Sequence, residues 1–520
     1  MEQATAVLRR RLGPVAEAAA ATTVDLARRE AVARLWAGDH TLWRDDPTEV
    51  ADRLGWLAVR EMGGRLPELE TLAADATADG LDHAVLLGMG GSSLFPEVLS
   101  RTFGADQGQP DMTVLDTTDP AAVARVGADH DLDRCLFVAA SKSGTTIETR
   151  SQLEHFWDRT GGDGRRFVAV TDPGTGLADL GRARGFRAVL ENRSDIGGRY
   201  SALSLFGLVP GALLGVDLTG LLARAWAMAE ATAESVPPSH HPAVGLAAAI
   251  GAAVATGRDK LTLVLPGEVA SFGLWLEQLV AESTGKGGTG ALPVAGEPLG
   301  PPDAYGDDRL FVAVGDAGRH PGLEELAEAG HPVVEVAYGD RLDLGGQVLL
   351  WEEAVALTGA VLGINPFDQP DVASAKAGTD RVLAEGLPTI EPVRLAALLD
   401  QLRPGDYLAV QAFVDPGDHA LLDRLQGARV ALRDRHRVAT TLGVGPRFLH
   451  STGQFHKGGP PTGVFVQVVG DDPHDVGIPG QGFGFSTLKQ AQAAGDLAAL
   501  RDRGRRAGRV RLDELTAVSG

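Results

Sequence analysis

Short apolar runs alternate with helix-like segments between residues 84 and about 215, and this alternation limits the folds open to the chain. The runs are AVLLG (84–88), TVLD (113–116), LFVAA (136–140), FVAV (167–170) and AVL (188–190). Their spacing of roughly 20–30 residues is typical of repeated βα units. The pattern predicts an α/β fold with a doubly wound parallel sheet, in which ligands bind beyond the carboxyl ends of the strands.

Three regions are expected along the 520 residues, a length that exceeds one ordinary core. Residues 1–80 have helical periodicity and are predicted to form a helical wrapper around the first domain, with an amphipathic helix starting near Asp46 or Pro47. Residues 81–257 are predicted to be the first doubly wound domain, with a helical region at 201–257. Residues 258–520 are predicted to be the second, built on the runs at 261–265, 310–314, 332–337, 407–414 and 464–469.

Composition narrows the classes of partner. Forty-eight Lys and Arg against sixty-nine Asp and Glu give a formal net charge of −21, which disfavours nucleic acid and anionic membranes. The single cysteine, Cys135, excludes an internal disulfide framework and fits a reducing compartment. No signal peptide and no apolar run of spanning length is evident. These features predict a cytoplasmic protein. No cluster of His, Cys and Asp residues has the spacing of a metal site, so none is predicted.

Two polar loops follow strands of the predicted sheet. GMGGSS (88–93) joins a strand to a helix through three glycines, and Ser92 and Ser93 are expected to cap that helix with their hydroxyls pointing outward. SKSGTT (141–146) carries four hydroxyls, among them those of Ser141, Ser143 and Thr146, beside Lys142. Hydroxyls and free N–H groups at a helix N-terminus form a phosphate cradle. A plain tight turn and a polar turn with a Ser/Thr cap are the structural alternatives.

Five motifs together resemble one known family. GMGGSS and SKSGTTIET (141–149) resemble the sugar isomerase (SIS) domain. SDIGGRYSALS (194–204), LEQLVAESTGKGG (276–288) and GINPFDQPDVASAK (363–376) resemble segments of the glucose-6-phosphate isomerase family. The chain is especially similar to the isomerase half of bifunctional transaldolase/phosphoglucose isomerases, although it contains no transaldolase barrel. The resemblance implies two SIS-type doubly wound parallel-sheet domains with flanking helices.

The resemblance also implies an activity and a set of site residues. The activity is the interconversion of glucose 6-phosphate and fructose 6-phosphate through a cis-enediol(ate), without cofactor or metal. Glu282 is implied as the proton-transferring base, Arg199 as the group that stabilises the intermediate, and Lys376 as a ring-opening residue. The implied substrate-binding residues are Ser92, Ser141, Lys142, Ser143, Thr146, Glu148, Gly198 and Gln369. Related enzymes are homodimers, so a homodimer is implied as well.

The chain departs from the family pattern in one respect. The family places a ring-opening histidine between the motifs of Glu282 and Lys376, and the corresponding stretch at 298–314 has no histidine. FLHSTGQFHKGG (448–459) resembles the family's histidine-bearing segment, displaced along the chain. His450 is the better match and His456 the alternative, and an ordinary core or surface histidine is the structural alternative for both.

Two other functions fit parts of this pattern. A phosphoglucose/phosphomannose isomerase would keep the phosphate loops and differ where the configuration at C2 is recognised. A noncatalytic sugar-phosphate sensor would need the loops, but it would have no use for Glu282, Arg199 and Lys376 together.

Overall fold

The computed structural model describes residues 7–519, apart from the side chains of residues 372–375 and 519. Within this range the strands are β1 Leu8–Arg11, β2 His83–Gly88, β3 Asp111–Leu115, β4 Cys135–Ala140, β5 Phe167–Thr171, β6 Ala188–Glu191, β7 Lys260–Val264, β8 Leu292–Val294, β9 Arg309–Val314, β10 Val333–Val336, β11 Tyr407–Phe413, β12 Ala439–Val444, β13 Gly463–Val469 and β14 Arg506–Arg509.

The α-helices of the same range connect and cover these strands. They are α1 Ala16–Arg28, α2 Ala31–Trp36, α3 Leu66–Ala78, α4 Leu94–Phe103, α5 Pro120–Asp129, α6 Ile147–Arg159, α7 Gly176–Ala183, α8 Leu205–Leu214, α9 Leu218–Ala231, α10 Pro242–Ala255, α11 Phe272–Thr284, α12 Leu323–Glu328, α13 Leu344–Leu362, α14 Val372–Glu385, α15 Leu395–Leu399, α16 His419–His436, α17 Gly453–Gly458, α18 Phe485–Asp502 and α19 Leu512–Thr516.

Sheet I has the strand order β3-β2-β4-β5-β6, and all of its pairings are parallel. Every residue of β2 and β4 is buried, as expected for central strands covered by helices on both faces. The five apolar runs of residues 84–190 coincide with these strands. The prediction of a doubly wound parallel sheet is therefore confirmed.

The strands predicted for a single second sheet divide between two sheets. Sheet II has the order β1-β10-β9-β7-β8, with only β1 antiparallel among the described strands. The runs at 407–414 and 464–469 lie instead in sheet III, a parallel sheet with the order β12-β11-β13-β14. Apolar periodicity identifies a strand but not its neighbour, and this is why the single second sheet was a wrong expectation.

The N-terminal segment also differs from the expected wrapper of the first domain. Residues Leu8–Arg11 form β1, which pairs with β10 of sheet II, although α1 packs on α10 and α3 on α8, both of which lie within residues 81–257. Within the described residues the helix expected from Asp46 is absent, and residues 51–53 and 55–65 form 3₁₀ turns. Gly55 lies against Asp195, donating its N–H to the Asp195 carbonyl at 2.8 Å, and this docking replaces the regular helix.

One large core joins sheets I and II through helices α8 to α11 and α13. Helices α10 and α13 are buried nearly all round, which matches their largely apolar sequences. A separate core lies between sheet III and its own helices. No helix of the part of the chain described here is both long and apolar enough to cross a membrane.

Candidate active site

The loops that follow the strands of sheet I meet at one edge, as the parallel topology predicts. They surround a cavity of about 450 Å³. Sheet I contributes the turns after β2, β4, β5 and β6. The rest of the lining comes from α11, from Phe367 and Gln369, from His450, and from Glu49 and Arg53 of the N-terminal region. The predicted site residues that line this cavity come from segments far apart in sequence, and they are Ser92, Lys142, Ser143, Thr146, Gly198, Arg199, Glu282, Gln369 and His450.

The Gly-rich turn after β2 approaches two other segments closely. Gly90 has φ +57°, and a Cβ on Gly91 would lie 2.0 Å from the carbonyl oxygen of Gly198. Glycine is therefore required where this turn crosses the 198 loop. Ser92 lines the cavity, whereas Ser93 is fully buried and donates to the Asp116 carboxylate at 3.2 Å. Neither serine makes the predicted side-chain cap, and only Ser92 is at the cavity.

The hydroxyl-rich loop lies between β4 and the N-terminus of α6. The hydroxyls of Ser141 and Thr146 are 3.0 Å apart, and those of Ser143 and Thr145 are 2.9 Å apart. Lys142 directs its ammonium group away from the loop, to the Asp172 carboxylate and, at 2.9 Å, to the Ser194 carbonyl. The loop therefore offers hydroxyls, backbone N–H groups and the positive end of a helix to an anion.

Arg199 is the centre of a buried network. Its Nη1 is 3.1 Å from Oε2 of Glu282 and 3.0 Å from Oε1 of Gln369. Gln369 itself is exposed to solvent. Its Nη2 donates to the carbonyls of Pro366 and Asp368, at 2.9 and 2.6 Å, and its Nε donates to the Ser283 hydroxyl. Every nitrogen of this guanidinium has an acceptor, so its position over the cavity is fixed.

Glu282 lies near the end of α11 with 4% of its surface exposed. Burial raises the pKa of this carboxyl above its usual value, and the adjacent charge of Arg199 partly opposes that rise. A carboxylate with a raised pKa is a stronger base than an exposed one. This environment suits a group that takes and returns a proton near neutral pH.

His450, which is half-buried at the cavity, forms a pair with the buried Glu148. His450 Nε2 is 2.9 Å from Glu148 Oε1, so Nδ1 is the ring nitrogen left for a ligand. Burial lowers the pKa of His450, but the charge and hydrogen bond of Glu148, together with the charges of Glu282 and Asp116, outweigh burial and raise that pKa. Burial likewise raises the pKa of Glu148, but the charge of His450 and the hydrogen bonds from His450, Gln492 and a backbone N–H together outweigh burial and lower that pKa.

The alternative histidine lies elsewhere. His456 is buried in α17, where its Nδ1 is 3.0 Å from the Tyr407 hydroxyl and its ring packs on Phe465. Burial lowers the pKa of His456 to about 3. A neutral imidazole inside an apolar cluster, away from the cavity, has the properties of a core residue.

Lys376 does not line the main cavity. It is exposed on α14 and lines a smaller cavity of about 120 Å³, which His450 and Glu148 also line. Ser143, Thr146 and His450 line both cavities, so the two adjoin. The structure thus brings Lys376 to the cavity that His450 also lines, and it brings Glu282 and Arg199 together in the main cavity.

Sequence reasoning did not single out two buried side chains at this site. Gln278 lines the cavity one helical turn before Glu282, donates its Nε2 to the His450 carbonyl at 2.8 Å, and has no hydrogen-bond partner for Oε1 in the described structure. Lys286 donates to the Asn365 and Asp368 carbonyls and so holds the segment that contacts Arg199. The i, i+4 spacing of Gln278 and Glu282 was the available signal, since such residues share a helix face.

Known proteins share this sequence and fold. The profile described as phosphoglucose isomerase matches residues 70–292. A probable glucose-6-phosphate isomerase of Haloarcula marismortui is 31% identical over 364 residues, which cover 61% of this chain and 82% of that protein. The crystal structure of a hypothetical protein from Thermus thermophilus is 25% identical with a TM-score of 0.62, and the alignment covers 72% of this chain and all of that one.

A second solved structure supports the fold alone. It is a glucose-6-phosphate isomerase from Chlamydia trachomatis, 19% identical with a TM-score of 0.59, covering 71% of this chain and 86% of that one. Three findings point to the same family. They are the sequence match, the α/β architecture with parallel sheets, and the meeting of the family motifs at one cavity. The chain belongs to the glucose-6-phosphate isomerase family.

Proposed function

We propose that the protein interconverts glucose 6-phosphate and fructose 6-phosphate by moving a proton between C1 and C2. The observation that carries the proposal is the contact between Glu282 and Arg199 in a cavity that a hydroxyl-rich loop also lines. A base beside a fixed cation suits a reaction with an enediolate intermediate. The phosphate group of the substrate would be held by the loops.

The phosphate is assigned to the hydroxyls of Ser92, Ser143 and Thr146 and to backbone N–H groups of the 141–146 loop. Ser141 supports that loop, because its hydroxyl contacts Thr146 and accepts the Gly144 N–H at 3.1 Å. Lys142 contributes through its backbone, since its ammonium group is engaged with Asp172. Gly198 borders the same end of the cavity, where a side chain would reduce the space for the ligand.

Ring opening is assigned to His450. In this step the C1–O5 bond breaks, O5 gains a proton and the O1 hydroxyl loses one. His450 offers Nδ1 to the sugar while Glu148 holds Nε2, and the raised pKa of His450 favours a protonated imidazole that can donate to O5. The family resemblance also implies Lys376 as a ring-opening residue, and it lines the adjoining smaller cavity.

Glu282 then removes the proton from C2 of the open aldose and returns it to C1. The electron pair of the C2–H bond forms the C1–C2 double bond of the enediolate, and the hydroxyl proton passes from O2 to O1. Arg199 stabilises the negative charge on the enediolate oxygens, and Gln369 and Gln278 orient the sugar hydroxyls. The oxidation of C2 balances the reduction of C1, so no redox partner is consumed.

We further propose a cytoplasmic homodimer without a nucleic-acid or membrane partner, by resemblance to related enzymes and from the acidic net charge. All of the proposed site residues come from one chain. The proposed homodimer is tested by light scattering, and a monomer at every protein concentration would contradict it.

The activity is tested with a coupled assay for glucose 6-phosphate formed from fructose 6-phosphate. Turnover that saturates with fructose 6-phosphate supports the proposal. Absence of turnover by folded protein contradicts it. Mannose 6-phosphate is the comparison substrate, and equal turnover of both sugars would assign the chain to the phosphoglucose/phosphomannose type.

A further inference from the structure

Gln492 of α18 is a buried residue in contact with the ring-opening pair. It is 2% exposed, and its Nε2 donates to Glu148 Oε1 at 2.6 Å. The same carboxylate oxygen accepts from His450 Nε2 at 2.9 Å. We propose that Gln492 is a positioning residue for ring opening, which holds Glu148 so that His450 keeps Nδ1 directed to the sugar. The inference rests on the role of His450 proposed above.

The amide orientation of Gln492 is determined by its neighbours. Thr118 is fully buried, and its hydroxyl lies 2.6 Å from Gln492 Oε1. The ionised carboxylate of Glu148 only accepts hydrogen bonds, so the NH₂ group of Gln492 has to face it. Thr118 then donates to the amide oxygen. The hydrogen bonds therefore run from Thr118 through Gln492 to Glu148 in one direction.

This chain of hydrogen bonds links two parts of the fold. Thr118 and Glu148 belong to the loops and helices of sheet I, whereas Gln492 and His450 belong to the segment that carries sheet III. A carboxylate that received only the His450 hydrogen bond would be free to change rotamer. With Gln492 as a second donor to the same oxygen, Glu148 has one favoured position and the imidazole is oriented with it.

Helix α18 is itself held in place by other contacts. It crosses α14 at Gly378 and Gly495, where a Cβ on Gly495 would lie 2.7 Å from the Thr379 backbone nitrogen. Lys489 bonds to the carboxylates of Asp119 and Asp472, one turn before Gln492. Packing alone can therefore position this helix. A loss of function in Gln492 variants accordingly needs a readout that distinguishes orientation of Glu148 from stability of α18.

Anomerisation of glucose 6-phosphate provides that readout, because it needs ring opening and closing but no transfer of the C2 proton. In a Glu282→Gln background, exchange between the α and β anomers is measured by NMR exchange spectroscopy. We expect Gln492→Met to lower the catalysed exchange rate by about tenfold or more, as for loss of a hydrogen bond to a charged group.

Gln467→Met is the matched control. Gln467 is also fully buried, and its Nε2 donates at 2.8 Å to the carbonyl of Ala493 in the same helix, but it does not contact the pair. Equal losses of the catalysed anomer exchange rate in Gln467→Met and Gln492→Met would overturn the inference. A full exchange rate in Gln492→Met, with the rate lost in His450→Ala, would overturn it as well. Full exchange by His450→Ala would overturn the proposed ring-opening role, and the inference with it.

Discussion

Arg199 Nη1 lies 3.1 Å from Glu282 Oε2, and neither residue is more than 4% exposed. Isolated burial of either charge would be costly, but the two compensate each other and the guanidinium has further acceptors. Burial raises the pKa of Glu282 and Arg199 limits that rise. The pair thus places the proposed base, Glu282, in contact with Arg199, the cation proposed to stabilise the enediolate that forms when the base removes a proton.

Replacing Arg199 should change both the rate and its pH dependence. We expect Arg199→Met to lower kcat by about 10²- to 10³-fold, because the enediolate loses its stabilising cation. Activity requires ionised Glu282 and is lost as pH falls through its pKa, which is above 4.5. Without Arg199 this acid limb should move to higher pH. The measurement is kcat against pH. Arg193→Met is the control, since Arg193 pairs with the exposed Glu61 and with Asp195.

The Glu148–His450 pair should set the ionisation of the histidine. In Glu148→Gln, burial acts without the carboxylate, so the pKa of His450 should fall from above 6.5 to below it. NMR titration of His450 measures this shift. An unchanged pKa in the variant would show that Glu148 does not control the histidine.

The same pair has a predicted effect on stability. Because the folded pKa of His450 is raised, its contribution is complete at pH values below its unfolded pKa and is lost as pH rises through the folded value. The contribution of Glu148, whose pKa is lowered, is lost only as pH falls through a value below 4.5. The difference in unfolding midpoint between the wild type and Glu148→Gln should therefore shrink as the pH is raised.

The two candidate histidines should respond differently to truncation. His450→Ala should lower kcat on the order of 10²-fold, the size expected for loss of a general acid–base group. His456→Ala should instead lower the unfolding midpoint, because it leaves a cavity beside Tyr407 and Phe465 and removes the partner of the Tyr407 hydroxyl. Paired assays of kcat and thermal unfolding compare them. A large kcat loss confined to His456→Ala would reverse the assignment.

Gln278 should act on substrate recognition through its free Oε1. Gln278→Leu should lower kcat/KM by about tenfold or more, since an orienting hydrogen bond to a sugar hydroxyl is lost. Gln347→Leu is the control: Gln347 also donates its Nε2 to a carbonyl, that of Ala337, and has a buried unpartnered Oε1, but it lies outside the cavity. Equal effects of both substitutions on kcat/KM would indicate a general packing defect.

The sequence predicted the sheet that carries the candidate site more fully than the rest of the fold. The five apolar runs of sheet I follow one another with regular spacing, so their pairing and the meeting of their loops could be inferred. Sheet III could not be separated from sheet II, because β11 and β13 have the same apolar pattern as β7 and β9. The 3₁₀ turns at 51–65 likewise depend on docking against Asp195, which no local pattern reports.

The site was predictable where a motif carries the residue. Motif resemblance singled out Arg199, Glu282 and His450, which line one cavity although more than 250 residues separate the first from the last. Gln278 was missed although its i, i+4 spacing to Glu282 was a signal, and Gln492 was missed because a lone glutamine in a helix has no chemical signature in sequence. Their contacts identify them: Gln278 donates to the His450 carbonyl, and Gln492 donates to the Glu148 carboxylate.

The most direct test of the account is proton transfer by Glu282. Isomerisation of fructose 6-phosphate is run in ²H₂O with the wild type and with Glu282→Gln, and deuterium at C2 of glucose 6-phosphate is measured by NMR. We predict turnover with deuterium at C2 for the wild type, and for the variant neither turnover nor label above the uncatalysed level. Wild-type rates and labelling in folded Glu282→Gln would contradict the mechanism.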